Sequence, residues 1–156
     1  MDTSMSTTRR AQLVMDVLRH AVNGDHDGAM RLMAAIAQAS DGQQMYGVCC
    51  ALAEAARQTL VRLYGHPAPE ALWALVAPDP ADGPRHPAHT FALRFITAFA
   101  NGDMPSCQAL YVAAVRASGE DYAHSVTALV GVVAHLTQVA LEEPAADDES
   151  PANHPH

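Results

Sequence analysis

Nine histidines and three cysteines are the residues of this 156-residue chain best suited to chemistry, because their side chains bind metals or act as nucleophiles. His86 and His89 stand three positions apart at the predicted start of a helix, where both rings could reach one metal ion. Pro87 lies between them, and no HExxH motif or accompanying carboxylate completes a ligand set. The pair is therefore a candidate metal site, and a solvated loop followed by a helix start is the alternative interpretation.

The remaining histidines do not indicate a metal ion that two of them could bind together. His124 and His135 occupy one predicted helix, but their spacing places them about 16 Å apart along its axis, too far to share one ion. His20 falls in the last turn of a predicted helix, where the helix dipole favours a partly charged imidazole. His154 and His156 belong to the C-terminal tail. We therefore predict no cofactor, and His86 and His89 stay the only metal candidates.

The cysteines are predicted to be reduced and to have no catalytic role. Cys49 and Cys50 are adjacent and Cys107 is alone, so a disulfide framework is not expected, and a reducing cytoplasm suits the chain. Cys49 lies on an apolar helical stripe, which is typical of a small core residue, whereas Cys50 is the better candidate for an accessible thiol. No Gly-rich phosphate loop or nucleophile elbow is present. No reaction is indicated, so no catalytic residue is predicted.

The elements that must position these residues are indicated by a repeated tripeptide. Asn-Gly-Asp occurs at 23–25 and again at 101–103, an offset of 78 positions. A glycine suits the left-handed turn that ends one helix, and an aspartate after it can accept hydrogen bonds from the first N–H groups of the next. At the same offset Leu32, Ala35, Ala39 and Ser40 recur as Leu110, Ala113, Ala117 and Ser118. Each copy is therefore predicted to be an antiparallel helical hairpin.

Apolar residues at helical spacing extend each hairpin to three helices. The helices are predicted at about 7–22, 26–39 and 40–64, and again at about 87–100, 104–117 and 120–141. Ser40 with Gln43 is predicted to cap the third helix. The fold class is all-α, with two pseudo-repeated three-helix units at 7–64 and 89–141 that form one six- to seven-helix bundle. Residues 7–141 are predicted to be a single domain.

The two units are joined by a proline-rich connector at 65–88. Proline at this density breaks regular structure, although the stretch from Pro69 to Leu75 could form a short helix with proline at its first position. The only tryptophan, Trp73, lies in that stretch. We expect it to fix the connector against the bundle. The alternative is an exposed aromatic anchor that contacts a partner.

Charge disfavours nucleic acid and anionic membranes as partners. The chain has 17 acids, nine arginines and no lysine, for a net charge of −8. Five of the acids follow Leu141, so the predicted domain is only mildly acidic and lacks a cationic surface. The hairpins resemble a DNA-reading helix-turn-helix in outline, but the helix after each turn offers only Arg31 or Arg116 to bases. Residues 1–6 and the acidic tail at 142–156 are predicted to be disordered.

The last predicted helix is apolar around much of its circumference. It contains His135, Thr137 and Gln138 and is short for a membrane span, so it is better interpreted as buried in the bundle or against another subunit. An isologous homodimer is the commonest way to bury such a surface. Val132 and Val139 are therefore predicted contact residues, and Val132→Glu should weaken the assembly.

Methionines are concentrated in the first unit, at positions 15, 30, 33 and 45. They either fill gaps in an alanine-rich core or line an adaptable groove, and Met30 and Met33 are included with Trp73 among the candidate interaction residues. The sequence predicts a cytoplasmic helical protein–protein interaction module that self-associates. The alternative is a protein, possibly an enzyme, that binds a small ligand or metal between the two units near the connector.

Overall fold

The computed structural model describes residues 5–75 and 86–142, and these residues form six helices and no strand. The helices are α1 Thr7–Val22, α2 His26–Gln38, α3 Gly42–Tyr64, α4 Pro87–Ala100, α5 Met104–Arg116 and α6 Gly119–Glu142. The predicted all-α bundle is confirmed. The predictions for residues 1–4, for the acidic tail from 143 onward and for the connector between 76 and 85 lie outside the described residues.

Helix α6 is the centre of the bundle. It packs against α1, α3, α4 and α5, while α2 lies against α1 and α5 lies mainly against α4. By length and composition alone α6 could also cross a membrane, but the central helix of a bundle has the same character. Val126, Leu129 and Val133 on α6 are buried. The apolar surplus that the sequence shows on this helix is thus largely used within the chain.

One cluster of buried side chains draws on all six helices. Phe95 of α4 lies at its middle and is fully buried. Its ring lies 5.5 Å from that of Phe91 and meets Tyr46 of α3 edge to face at 6.3 Å between centroids. The Cys107 thiol of α5 donates to the Phe95 carbonyl at 3.9 Å. Phe95 therefore connects three helices across the seam between the first and second units.

The two Asn-Gly-Asp turns have the same geometry. Gly24 and Gly102 adopt φ values of 84° and 75°, which only glycine takes without strain. Asp25 accepts a hydrogen bond from the Gly28 N–H at 2.9 Å, and Asp103 accepts one from the corresponding N–H of Ser106 at 3.2 Å. Both predicted turns and caps are confirmed. The similarity of the complete three-helix units stays a prediction.

The residue three positions after the capping aspartate is Gly28 in the first turn and Ser106 in the second, and this difference has a steric reason. In the first turn His20 Nδ1 lies 2.8 Å from Asp25 Oδ2, and this pair fills the space above Gly28. The Gly28 N–H and His20 both lower the pKa of the Asp25 carboxyl. In the second turn alanine stands where the first has histidine, and the Ser106 hydroxyl donates to Asp103 Oδ2 at 2.6 Å. The first turn therefore requires glycine where the second accepts serine.

Gly28→Ala should lower the free energy of unfolding by about 1 kcal/mol, although alanine is the better helix former. A Cβ atom at position 28 would lie 2.8 Å from Asp25 Cγ and 2.9 Å from His20 Nδ1, which forces the cap apart. Gly47→Ala on α3 is the control, because nothing lies within 4 Å of its added carbon. The free energy of unfolding of this control, measured with urea, should rise by about 0.5–1 kcal/mol. Equal gains in both variants would contradict the steric account.

The start of α3 differs from its prediction by one residue. Asp41 is the N-cap, and it exchanges hydrogen bonds of 2.8 Å with Gln44 in a capping box. The predicted Ser40–Gln43 cap is wrong because the Ser40 hydroxyl is used elsewhere. It accepts a hydrogen bond of 3.0 Å from the buried Arg10 guanidinium. The long-range contact outcompetes the local one.

The short helix predicted from Pro69 to Leu75 is not formed. Only a turn occurs there, closed by the Ala71 N–H and the Ala68 carbonyl at 2.8 Å. The backbone of Trp73 instead pairs with the Asn101 side chain, which accepts from the Trp73 N–H at 2.7 Å and donates to its carbonyl at 2.9 Å. A helix of about two turns cannot compete with two such bonds, since helix nucleation is costly.

Trp73 itself is half-buried and packs against the core cluster. It therefore attaches the described part of the connector to the bundle, and its role as an anchor for a partner stays a prediction.

Asn101→Ala should release this part of the connector. The Trp73 emission maximum should then shift to longer wavelength, because the indole becomes more exposed to water, and the signal is clean since the chain has one tryptophan. Asn23→Ala is the matched control at the same position of the first turn, where the asparagine side chain bonds to no connector residue among those the structure describes. The emission of the control should equal that of the unsubstituted chain. An unshifted spectrum for Asn101→Ala would show that the two hydrogen bonds do not hold Trp73.

Candidate functional site

A groove between α4 and α5 consists of two adjoining clefts. The first, of about 750 Å³, lies between connector residues 72–75, α4 and α5. The second, of about 530 Å³, lies between α4, α5 and the first turns of α6. Arg94, Leu110 and Ala113 line both. The two clefts therefore form one groove along α4, whose 14 residues span about 20 Å.

The groove offers little catalytic chemistry. Most of its polar side chains already have partners: Thr97 bonds to the Leu93 carbonyl at 2.7 Å, Asn101 to the Trp73 backbone, and Asp103 to the first turn of α5. Arg94 is exposed, and no ion pair to it occurs among the described residues. The rest of the lining is mainly alanine and leucine. Such a surface suits an apolar partner better than a reacting substrate.

The groove exists because α5 has few large side chains to fill it. Of the 13 residues of α5, only Cys107 and Tyr111 are buried, whereas six of the 14 residues of α4 are. The Tyr111 hydroxyl donates to the Gly42 carbonyl at 2.8 Å and lies 3.0 Å from the Tyr122 hydroxyl. These contacts attach α5 along one narrow line. Helix α5 also packs against α4, and among the described residues the side that carries Val112 stays exposed.

Apolar side chains remain on the exposed side of α5. Met104, Val112 and Val115 are 38%, 43% and 49% exposed. Ala109 and Ala113 are exposed on the same helix. A surface helix of a globular protein normally carries polar residues on that side. The outer face of α5, together with the groove beside it, is therefore the candidate functional site.

The interaction residues predicted from the sequence lie elsewhere. Met33 is buried in the core, so its side chain is unavailable for contact with a partner. Met30 is half-buried and its sulfur accepts a hydrogen bond from Thr127. Val132 and Val139 are half-buried on the central helix α6. Helix α5 was missed because apolar helical spacing looks the same whether or not another helix covers it.

The structure gives His86, one of the two candidate metal ligands, a different role. His86 caps α4, where its Nδ1 accepts a hydrogen bond from the Ala88 N–H at 3.1 Å. Its ring meets His124 of α6 edge to face at 5.6 Å, so its neighbour is His124 rather than the half-buried His89. Within residues 5–75 and 86–142 no group of three or more histidines, cysteines or acids is placed to hold a metal. Among these residues, none is placed to act as a third metal ligand beside His86 and His89.

The thiols are protected by burial. Cys49 and Cys107 are buried, and burial raises the pKa of the Cys49 thiol to about 12 and that of Cys107 to about 11. Cys50, predicted to be the more accessible thiol, is half-buried, and burial raises its pKa as well. A thiol held protonated at neutral pH is a poor nucleophile. Each of the three is therefore a weak nucleophile at neutral pH.

The buried cysteines and two tyrosines should make the folded chain less stable at alkaline pH. Burial raises the pKa of Tyr46 and Tyr111 as well as those of Cys49 and Cys107. In the unfolded chain these groups lose protons near their ordinary values, about 8.5 for cysteine and 10 for tyrosine, while the folded chain keeps them. The free energy of unfolding should therefore be constant between pH 7 and 8 and fall above about pH 9.

Urea unfolding at a series of pH values would measure this fall, with Cys49→Ala as the comparison. That variant lacks one of the groups that the fold keeps protonated, so its stability should fall less steeply between about pH 9 and 11. Stability that rises with pH, or equal slopes in the two proteins, would contradict the assignment.

Comparison with known proteins adds no relative: no family model, no curated protein and no solved structure matches this chain.

Proposed function

We propose that this chain is a helical protein–protein interaction module that self-associates through the outer face of α5. The observation that supports the proposal is the poor burial of this apolar helix, in which Cys107 and Tyr111 alone are buried among the described residues and Leu110 and Ala114 are partly buried. Contiguous exposed apolar surface marks interaction sites, and Met104, Val112 and Val115 all expose apolar side chains on this helix. The alanine-lined groove beside them adds apolar surface that a partner can cover.

A second copy of the chain is the simplest partner. Homodimers with one two-fold axis are the commonest oligomers, and they use the same patch on both subunits. The sequence places this contact on α6, through Val132 and Val139. Because α6 packs against four other helices, we assign the contact to α5 instead. We also propose a reducing, cytoplasmic location, which suits the free thiols of Cys49, Cys50 and Cys107.

Sedimentation velocity of the full chain, from low micromolar to near-millimolar concentration, tests this function. One helix face and its groove form a small contact, which is typical of weak or transient association. The sedimentation coefficient should therefore rise with concentration from the monomer value toward that of a dimer. A monomer across the whole concentration range would contradict the proposal.

A second candidate function is the binding of a small ligand in the cleft beside the connector. Its volume of about 750 Å³ lies in the range of ligand sites, and Arg94 offers a charge at its wall. This cleft lies between the connector and the second three-helix unit, whereas the sequence suggests a site between the two units. Thermal unfolding with divalent metals and a panel of metabolites tests it, because a ligand that prefers the folded chain raises its stability. A shift that persists in Arg94→Ala would place the ligand elsewhere.

A further inference from the structure

We propose that a third cleft, between α1, α3 and the end of α6, binds acidic peptide and that its occupant is the chain's own acidic segment 143–149. This segment follows α6 directly and contains Glu143, Asp147, Asp148 and Glu149 without a basic residue. The contact is separate from the proposed self-association, because no described residue of α4 or α5 lines this cleft.

The charge of this cleft distinguishes it from the two clefts of the groove. Its volume is about 510 Å³, and its described lining contains two arginines, Arg19 and Arg62, and no acid. Each cleft of the groove contains an acid beside Arg94, Asp103 in one and Asp121 in the other. Of these three clefts, the third therefore offers positive charge without a carboxylate in its wall, which suits an anionic occupant.

Both arginines are accessible to that occupant. Arg62 of α3 is exposed, and no ion pair to it occurs within the described part of the chain. Arg19 Nη1 of α1 lies 3.1 Å from Asp16 Oδ1, but the Arg19 side chain is 71% exposed and a guanidinium group has five N–H donors. An incoming carboxylate can therefore bind Arg62 without competition and share Arg19 with Asp16.

The acidic segment begins at the edge of the cleft. Leu141, in the last turn of α6, lines the cleft, and the Gln138 side chain holds this end of α6 against α1 by donating to the Val22 carbonyl at 2.9 Å. Asp147 is five residues beyond Glu142, where α6 ends, and five residues can span about 17 Å. Helix α6 packs against both α1 and α3, and the axes of packed helices are about 8–10 Å apart. The segment is therefore long enough to return across the cleft to either arginine.

Apolar surface and the short tether favour the same occupant. Met15 and Leu141 line the cleft and are 54% and 63% exposed, and the segment carries Pro144, Ala145 and Ala146 between its acids. An exposed ion pair alone is weak. Covalent attachment compensates, because a short tether gives the segment an effective concentration on the order of millimolar. A weak contact is then populated within one chain.

The heteronuclear ¹H–¹⁵N NOE of the full chain tests this contact, because it reports how far each backbone amide is restricted on the nanosecond timescale. The double variant Arg19→Gln/Arg62→Gln should lower the NOE of Asp147 and Asp148. About 0.5 M NaCl should lower it in the unsubstituted chain, since salt screens exposed charges. Arg94→Gln is the matched control, which removes an exposed arginine from the groove and should leave these values unchanged.

A synthetic peptide of residues 143–149 distinguishes the chain's own segment from an acidic partner. In the full-chain variant Asp147→Asn/Asp148→Asn/Glu149→Gln, which lacks most of the segment's charge, millimolar peptide should shift the amide peaks of Arg62 and Leu141. In the unsubstituted chain the same peptide should shift them less, because the cleft is already occupied. Equal shifts in the two chains would assign the cleft to an acidic segment of another protein and overturn the proposal.

Three further results would also overturn it. An unchanged NOE in Arg19→Gln/Arg62→Gln would show that these arginines do not hold the segment. An equal loss in Arg94→Gln would show that overall charge, rather than this cleft, restricts it. Values that fall on dilution of the unsubstituted chain would place the segment in the cleft of a second copy.

Discussion

Phe95→Ala should lower the free energy of unfolding by about 3–5 kcal/mol, the usual cost of removing a buried phenylalanine ring. Phe95 is fully buried, and its ring contacts Phe91 and Tyr46, so the vacated space borders α3 and α4. Urea unfolding followed by far-ultraviolet circular dichroism measures the loss.

Phe99→Ala is the matched control for this prediction. It removes the same ring from the same helix, but Phe99 is only partly buried against the core cluster. The control should lose clearly less stability than Phe95→Ala, because part of its ring already contacts water. Equal losses in the two variants would contradict the placement of Phe95 at the centre of the core.

Val112→Glu should weaken self-association by about 100-fold or more while leaving the fold intact. The side chain is 43% exposed in the monomer, so a carboxylate there costs the bundle little. In a two-fold contact both copies bring the new charge to the interface, where it loses water and finds no partner. Each factor of ten in the dissociation constant corresponds to about 1.4 kcal/mol. Sedimentation velocity and circular dichroism of the same samples measure both effects.

Two further variants make this result specific. Tyr64→Glu places the same charge on an exposed side chain at the end of α3 and should leave association unchanged. Val132→Glu is the variant that the sequence alone suggests, but its half-buried position on α6 means that it should destabilise the fold instead. Loss of the dimer in Val132→Glu with full stability, and none in Val112→Glu, would return the contact surface to α6.

The positions of the six helices were predictable because their signals are local. Apolar spacing and capping residues placed α4 at Pro87–Ala100 and α5 from Met104, and the Asn-Gly-Asp turns fix the ends of both hairpins. The aspartate caps and positive-φ glycines need no information from distant residues. Local chemistry therefore determines most helix ends in this chain, and the start of α3 is an exception.

What the sequence could not show is which helix face another helix covers. Val112 and Val132 both occur in apolar helices, and the pattern alone selects Val132 as the exposed contact residue. The packing of α6 against four helices half-buries Val132, while α5 on the periphery leaves Val112 in water. The Ser40 cap and the short helix at Pro69–Leu75 were wrong for the same reason. In both places a distant side chain, Arg10 or Asn101, takes the hydrogen-bonding groups.

Native mass spectrometry of the untagged full chain, purified from its own host, tests self-association most directly, because it reports the number of subunits and any bound mass together. The proposed function predicts a species with the mass of two 16.5 kDa chains and no adduct, in amounts that grow with protein concentration. It also predicts that Val112→Glu removes this species. A monomer that carries a stoichiometric extra mass would contradict the account and favour ligand binding in the cleft beside the connector.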